Sequence, residues 1–376
     1  MQDYLKNYHV TITALAPIYI GSGRQIGKKE YLYKRNEHRV FIPSIEKLYA
    51  DIHDKGLSGD FQQYMTDYRK SAPYLDTWLR QHGYSDADYI RWEQYSLEAG
   101  DAFENERPKE IQAFVKDAYG KPYIPGSSIK GMLRTALIVW EIQKYPEKYK
   151  NLVQDIKKNS GVRANRKKCL ARETMALEQK VMNTLGRDVK SPRSAVNDKM
   201  AGVHVGDSVP LDTTDLTLCQ KIDVKINGQE KRLPILRESI APNTEINFDI
   251  SIDTTLDTYS MDEIIEAINC YQDICYQDIC YRWFYTKFHR GCKNENIVWL
   301  GGGCGFAAKT IIYGILENDA VRVIDGIYRN TLGKNYREHK HDCDIKLGVA
   351  PHVCKCTRYH GELYDMGMAR LEYVEA

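Results

Sequence analysis

A chain of 376 residues with 43% hydrophobic content is long enough for two or three domains with real cores, and it needs no disulfide staples. A formal net charge of +2 excludes a uniformly basic protein, so any contact with a polyanion must come from a patch. No stretch approaches the about 18 consecutive apolar residues of a membrane-spanning helix, and the first twenty residues lack the pattern of an export signal. The ten cysteines are therefore read as free thiols of a cytoplasmic protein with no membrane contact.

Along the chain, Tyr8, Val10, Ile12 and Ala14 alternate with His9, Thr11 and Thr13, the period of a half-buried strand. A Gly-rich turn is expected at Gly21 to Gly23, then a strand pair around Tyr31–Tyr33 and Val40–Ile42, then a helix opening near Ser44. From Asp51 to Ala118 there are 14 Asp plus Glu against 8 Lys plus Arg. Tyr64, Tyr68, Tyr74, Leu75 and Trp78 in this region have helical spacing, so an acidic helical insertion is expected at about residues 56–118. A helix from Ser127 should end before Pro146, and the charged, weakly patterned chain to about residue 200 suggests no compact unit. Within it, Lys157 to Arg172 carries seven Lys or Arg and no acid, which suits phosphate or a solvated loop equally.

Beyond residue 200 the pattern turns to antiparallel strands. Leu216, Leu218, Ile222, Val224 and Ile226 share one parity, Asn227-Gly228 signals a two-residue hairpin turn, and Ile246, Phe248, Ile250 and Ile252 alternate without error. A helix over Met261 to Phe288 contains CYQDICYQDICY, a five-residue tandem repeat. Each repeat advances about 500°, so Cys270, Cys275 and Cys280 share no face and a metal site there is not expected.

The stretch YIPGSSIKGMLRTAL, Tyr123 to Leu137, carries the sharpest signal. Ile129, Met132, Leu133, Ala136, Leu137 and Trp140 form one apolar stripe. Gly126 allows close approach of backbone, Ser127 and Ser128 suit a helix cap, and Lys130 and Arg134 place two cations at the positive end of the helix dipole. Capping explains the serines as well as ligand binding does. The cations are unfavourable there unless something negative is near. Met132 and Leu133 replace the Lys and Ser or Thr of a Walker loop.

Two other constellations compete. Gly303, Gly305 and Ala308 fit a dinucleotide fingerprint after the strand NIVWL, with Asp325 closing a possible strand AVRVID. The antiparallel hairpins upstream and the short remaining chain oppose a doubly wound sheet. The tail holds His339, His341, Cys343, His352, Cys354, Cys356 and His360, but its H-x-H-x-C and C-x-C spacings are not those of zinc ribbons, and HVCKCTRY alternates as an ordinary strand would. Neither a metal nor a cofactor is expected, and no catalytic residues stand out.

Taken together, IYIGSG (18–23), VFIPSIEKL (40–48), YIPGSSIKGMLRTAL (123–137), VGDSVP (205–210), LRESIAPNTEINFDI (236–250), GGGCGFAAKT (301–310) and TRYHGELYDMGMARLE near the end resemble the RAMP superfamily of CRISPR-associated proteins. The likeness is greatest to the terminal, fifth Csm-type subunits of type III-A effector complexes. It implies an α+β chain of two ferredoxin-like, RRM-type domains with helical insertions. One would span 1–200, with the insertion and a basic segment at about 150–200, and the other 201–376, with the Gly-rich loop. It also implies a non-catalytic, CRISPR RNA-binding subunit that caps the guide 3′ end and supports its maturation. Its partners would be target RNA, the repeating backbone subunit, the small subunit and recruited host nucleases. Carried onto this chain, the candidate RNA contacts are Gly21, Gly23, Gly126, Ser127, Ser128, Lys130, Arg134, Gly301, Gly302, Gly303, Gly305 and Lys309. Backbone-directed contacts suit a protein that must accept any guide sequence. A guide-processing endoribonuclease of the same superfamily is the nearer alternative, and a dinucleotide-dependent enzyme using the Gly303 loop the more distant one.

Overall fold

The computed structural model describes residues 4–103, 110–161, 169–275, 284 and 296–376. Two sheets dominate it. The first has five antiparallel strands in the order β11 (Ile297–Trp299), β14 (Met368–Glu375), β1 (Leu5–Ala14), β10 (Glu245–Asp253) and β7 (Val203–Val205). β1 lies between β10 and β14, with Ile12 opposite Ile246 on one side and Leu371 on the other. Its inward residues Val10, Ile12 and Ala14 are buried, as their alternation requires.

The second sheet runs β2 (Gly21–Ile26), β6 (Ile111–Phe114), β9 (Glu230–Ile240), β8 (Leu216–Lys225), β5 (Glu93–Glu98), β4 (Arg39–Pro43), β3 (Leu32–Lys34), with β12 (Val353–Tyr359) joined to β8 and β13 (Glu362–Asp365) to β12. Most pairs are antiparallel, while β5–β8 and β6–β9 are parallel. Each sheet takes strands from both sides of residue 200, so the boundary expected there does not separate the sheets. The architecture is α+β as anticipated, with two curled sheets matching a two-domain ferredoxin-like plan.

Several local expectations need correction. Gly21 to Gly23 is not a turn: it opens β2, and the register against β6 shifts between Gly21 and Gln25, where Gly23 has φ +82°. The helix expected near Ser44 is α1 (Ile45–Asp54), and the insertion after it is helical only through α2 (Ser58–Thr66), α3 (Leu75–Gln81) and α4 (Asp86–Trp92), after which the chain enters β5 and β6. Phe61, Tyr64, Leu75, Trp78, Leu79, Tyr89 and Trp92 pack with Leu48 and Ile52 of α1 against Leu32 and Phe41 of the sheet, in a cluster apart from the main core, whereas Tyr68 is 92% exposed. The segment after Pro146 is not unstructured. Pro146 is the first residue of α6 (Pro146–Asn159), where its missing N–H costs nothing, and α7 (Ala171–Met182) follows. Tyr149, Leu152, Val153 and Ile156 are one helical face packed on the main core, a period hidden in sequence by the surrounding lysines. Four residues, not two, separate β8 from β9, with Gly228 at φ +79°. AVRVID lies in a helix, Ala320–Leu332.

The helix expected from Met261 is α8 (Met261–Gln272), started by a capping box between Ser260 and Glu263. The end of the tandem repeat and residues 162–168 of the basic run lie outside the described residues. α8 packs beside α5 (Gly126–Lys144), and both bury their apolar faces in the core that includes the first sheet.

Glu238 on β9 clamps the second sheet. It is fully buried, accepts from the Tyr95 hydroxyl at 2.6 Å and the Phe114 amide at 2.8 Å, and pairs with the Lys116 ammonium. β5, β6 and β9 are thereby tied to one carboxylate, and burial beside it pushes the Tyr95 hydroxyl's pKa up. Glu238→Ala should lower unfolding free energy by about 3–5 kcal/mol, because it strands a buried ammonium and an amide. Urea denaturation would check this, with Glu238→Gln, which retains acceptors, losing less.

Candidate nucleic-acid interface

α5 begins at Gly126 with Pro125 at its cap, so Ser127 and Ser128 sit inside the first turn and neither caps the helix. The cap is supplied from elsewhere: Asp207 accepts the Gly126 N–H at 2.7 Å, and the Ser208 hydroxyl accepts the Ile124 N–H at 2.9 Å. An added Cβ on Gly126 would lie 2.3 Å from the Val205 carbonyl and 2.7 Å from that of Gly206. The glycine thus lets the helix start rest on the 205–208 segment.

The two cations at this helix start also find partners within the chain. The Lys130 ammonium donates to the Val203 carbonyl at 2.6 Å, and burial lowers its pKa. The Arg134 guanidinium bonds Asp198 at 2.6 Å and Glu178 at 2.9 Å. The negative charge that the sequence demands is supplied by Asp198, Glu178 and Asp207. Both cations brace α5 against β7 and α7.

The glycine loop after β11 is shaped by the chain beneath it. Gly301, Gly303 and Gly305 have φ of +84°, +96° and +87°. An added Cβ would lie 2.2 Å from the Tyr19 carbonyl at Gly301, and 2.6 Å from the Arg237 guanidinium at Gly303. Cys304 is buried, its thiol donates to the Leu300 carbonyl at 3.1 Å, and burial pushes its pKa up to about 12. The dinucleotide reading fails here. β11 is a short antiparallel strand, the loop leads only into a 3-10 turn over Ala307–Lys309, and Asp325 is a buried helical residue accepting from Arg329 and Tyr336.

Between the α5 start and this loop lies a groove of about 490 Å³. Gly21, Ser127, Ser128, Gly301, Gly302 and Lys309 line it together with Gly131 and Thr135, and Met132, Ile268, Tyr271 and Val298 form its apolar part. Gly23, Gly126, Lys130, Arg134, Gly303 and Gly305 do not line it. Among the described residues the Ser127 and Ser128 hydroxyls and the Lys309 ammonium have no hydrogen-bond partner, and Ser127 and Lys309 are exposed. The Tyr271 hydroxyl donates to the Thr310 carbonyl at 2.8 Å and so fixes the groove's floor to the loop. The arrangement offers neutral donors, one cation and an apolar wall, which suits a phosphodiester and its sugar or base without selecting a base edge.

Sequence reasoning missed a second concentration of charge. Lys221, Lys225, Lys231, Lys340 and Lys355 surround a cleft of about 560 Å³ between the β8–β9 hairpin and the segment leading into β12. The signal was present on the outward parity of β8, where Lys221, Asp223 and Lys225 alternate with buried Ile222 and Val224. Of the basic run, Lys157 pairs with Asp319.

The model of the RAMP superfamily matches residues 11–306, more than half of the chain. The chain is 29% identical over 394 residues to the CRISPR system Cms protein Csm5 of Mycobacterium tuberculosis strain H37Rv, covering 99% of this chain and 98% of that protein. It is 26% identical over 400 residues to Csm5 of Streptococcus thermophilus, covering 98% of each. Its fold is that of a chain in a cryo-EM structure of a type III-A Csm–crRNA–target RNA ternary complex, with a TM-score of 0.64 at 18% identity over 97% of this chain and all of that one. The crystal structure of T. onnurineus Csm5 matches with a TM-score of 0.61 at 17% identity, over 96% and 99% of the two chains. The chain therefore belongs to the RAMP superfamily, and the relatives it matches along its whole length are Csm5 proteins.

Proposed function

We propose that this chain binds the guide RNA of a Csm-type complex as its terminal subunit, capping the 3′ region of the guide and supporting its maturation without cleaving it. The observation that carries this reading is the groove. It gathers exposed hydroxyls, glycine backbone and Lys309 beside an apolar wall, a set that contacts backbone and stacks bases without reading them. The whole-length likeness to Csm5 proteins, and to a chain solved with crRNA and target RNA, supports the same assignment. No His, Asp or Glu lines the groove among the described residues, and the Tyr271 hydroxyl in it is engaged with the Thr310 carbonyl, which accords with a binding role. The partners follow from membership in such a complex: guide and target RNA, the repeating backbone subunit, the small subunit, and nucleases that trim the guide. Lys130 and Arg134 enter as residues that hold the groove's wall in place. The acidic insertion faces protein in this reading, since its charge would repel RNA.

Lys309→Ala combined with Ser127→Ala should weaken retention of guides of every sequence. It should also reduce the slope of log affinity against log salt by about 0.7, the increment for one single-strand phosphate that is no longer neutralised. A salt titration with several unrelated single strands checks this, and an unchanged slope would remove Lys309 from the interface. Arg134→Ala should instead lower the melting temperature by several degrees through loss of a half-buried pair worth about 1–3 kcal/mol. In the assembled complex, photo-crosslinked RNA should map to residues 127–135 and 301–309, and protein crosslinks to residues 45–92. RNA mapping mainly to the insertion would overturn that division.

A further inference from the structure

His341, Asp344 and His352 converge below the lysine-rich cleft. His341 lies in a 3-10 turn, Asp344 opens the short helix Asp344–Leu347, and His352 precedes β12. The two carboxylate oxygens of Asp344 face different imidazoles: Oδ2 is 2.9 Å from His341 Nδ1, and Oδ1 is bonded to His352 Nδ1. One ligand atom from each residue lies within 4.8 Å of the others, and the two rings are 5.4 Å apart.

The carboxylate is fully buried, and no Lys or Arg pairs with it among the described residues. A carboxylate buried this deeply needs positive charge beside it, which the two facing imidazoles can share with a bound cation. The three ligand atoms converge closely enough for one cation to meet all of them. The surroundings hold the donors in place. Tyr328 packs on the His341 ring with centroids 4.6 Å apart. The Tyr313 hydroxyl donates to the Ala350 carbonyl at 2.7 Å and accepts the Ala350 N–H at 3.0 Å, fixing the backbone two residues before His352.

We propose that His341, Asp344 and His352 bind a divalent cation of the zinc class. Two imidazoles and one carboxylate are the donor set that such ions prefer over Mg²⁺ or Ca²⁺, and three protein ligands leave a coordination position open. Both histidines line the cleft while Asp344 does not, so the open position looks toward Lys221, Lys340 and Lys355, where an anionic oxygen would be held. None of the tail's three cysteines belongs to the cluster: Cys343 is exposed, the Cys354 thiol faces Asp365, and Cys356 is buried against Ile222 and Val224. The site is independent of the guide-binding groove.

The full-length chain, stripped with a chelator, would be titrated with Co²⁺ followed by visible absorption, and the Co²⁺ then displaced with Zn²⁺. One equivalent should bind without a thiolate charge-transfer band, and Zn²⁺ should raise the melting temperature. Asp344→Asn and His352→Gln should each weaken binding at least about tenfold, while His339→Ala and Cys343→Ser should leave it unchanged. Failure of the wild-type chain to bind Co²⁺, a thiolate band, or binding that survives both Asp344→Asn and His352→Gln would overturn the site. If either ligand variant does not fold, as read by circular dichroism, the wild-type stoichiometry and the thiolate band decide.

Discussion

The short segment Leu15–Ile20 crosses from the first sheet to the second through the interior, and the rest of the molecule is arranged to satisfy it. Ala16 and Ile18 are completely buried, so each backbone group there needs a protein partner. Leu15 and Ala16 donate to the Met368 carbonyl, Ile18 exchanges hydrogen bonds with Ile240, Gly367 donates to the Pro17 carbonyl, and Gly302 donates to the Tyr19 carbonyl at 2.6 Å. These partners come from β9, from the β13–β14 turn and from the glycine loop. One buried crossover thus brings three distant parts of the chain to a common point.

The candidate groove inherits its shape from this constraint. Gly301 has no side chain because the Tyr19 carbonyl occupies the space, and Gly302 lies on the Tyr19 ring. The loop is drawn down onto the crossover, and its exposed edge meets the first turns of α5. Behind the groove, Gly126 performs the same service for the start of α5 against Val205 and Gly206. Glycines that read as ligand-binding elements therefore act first as contact points between backbones, and the groove is the space that those contacts leave open.

Electrostatics follow a similar logic. The positive end of α5 is neutralised from within by Asp198, Glu178 and Asp207, so the groove presents hydroxyls and, among the described residues, one unpaired lysine. Dense positive charge is found instead around the cleft beside β8 and β12. A chain of nearly zero net charge can in this way separate a weakly charged groove from a strongly basic cleft.

Local sequence pattern located β1, β8, β10, the β3–β4 pair, the starts of α1 and α8, and the apolar stripe of α5, because each of those elements meets the core along one face. The residues of the α5 start and the glycine loop also stood out by composition, and several of them line one groove. What lay beyond local pattern was partnership. Nothing near Arg134 in sequence announces Asp198 or Glu178, and nothing near Glu238 announces Tyr95, Phe114 and Lys116. Helical spacing in α6 was masked by lysines, and AVRVID, apolar and β-branched, reads as a strand until its buried face is seen to have a period of a helix. The sequence by itself determined which residues must be buried and which backbone positions must lack a side chain. Only the tertiary structure decided which charges are already answered, because an ion pair depends on distance in space and the sequence specifies distance only along the chain.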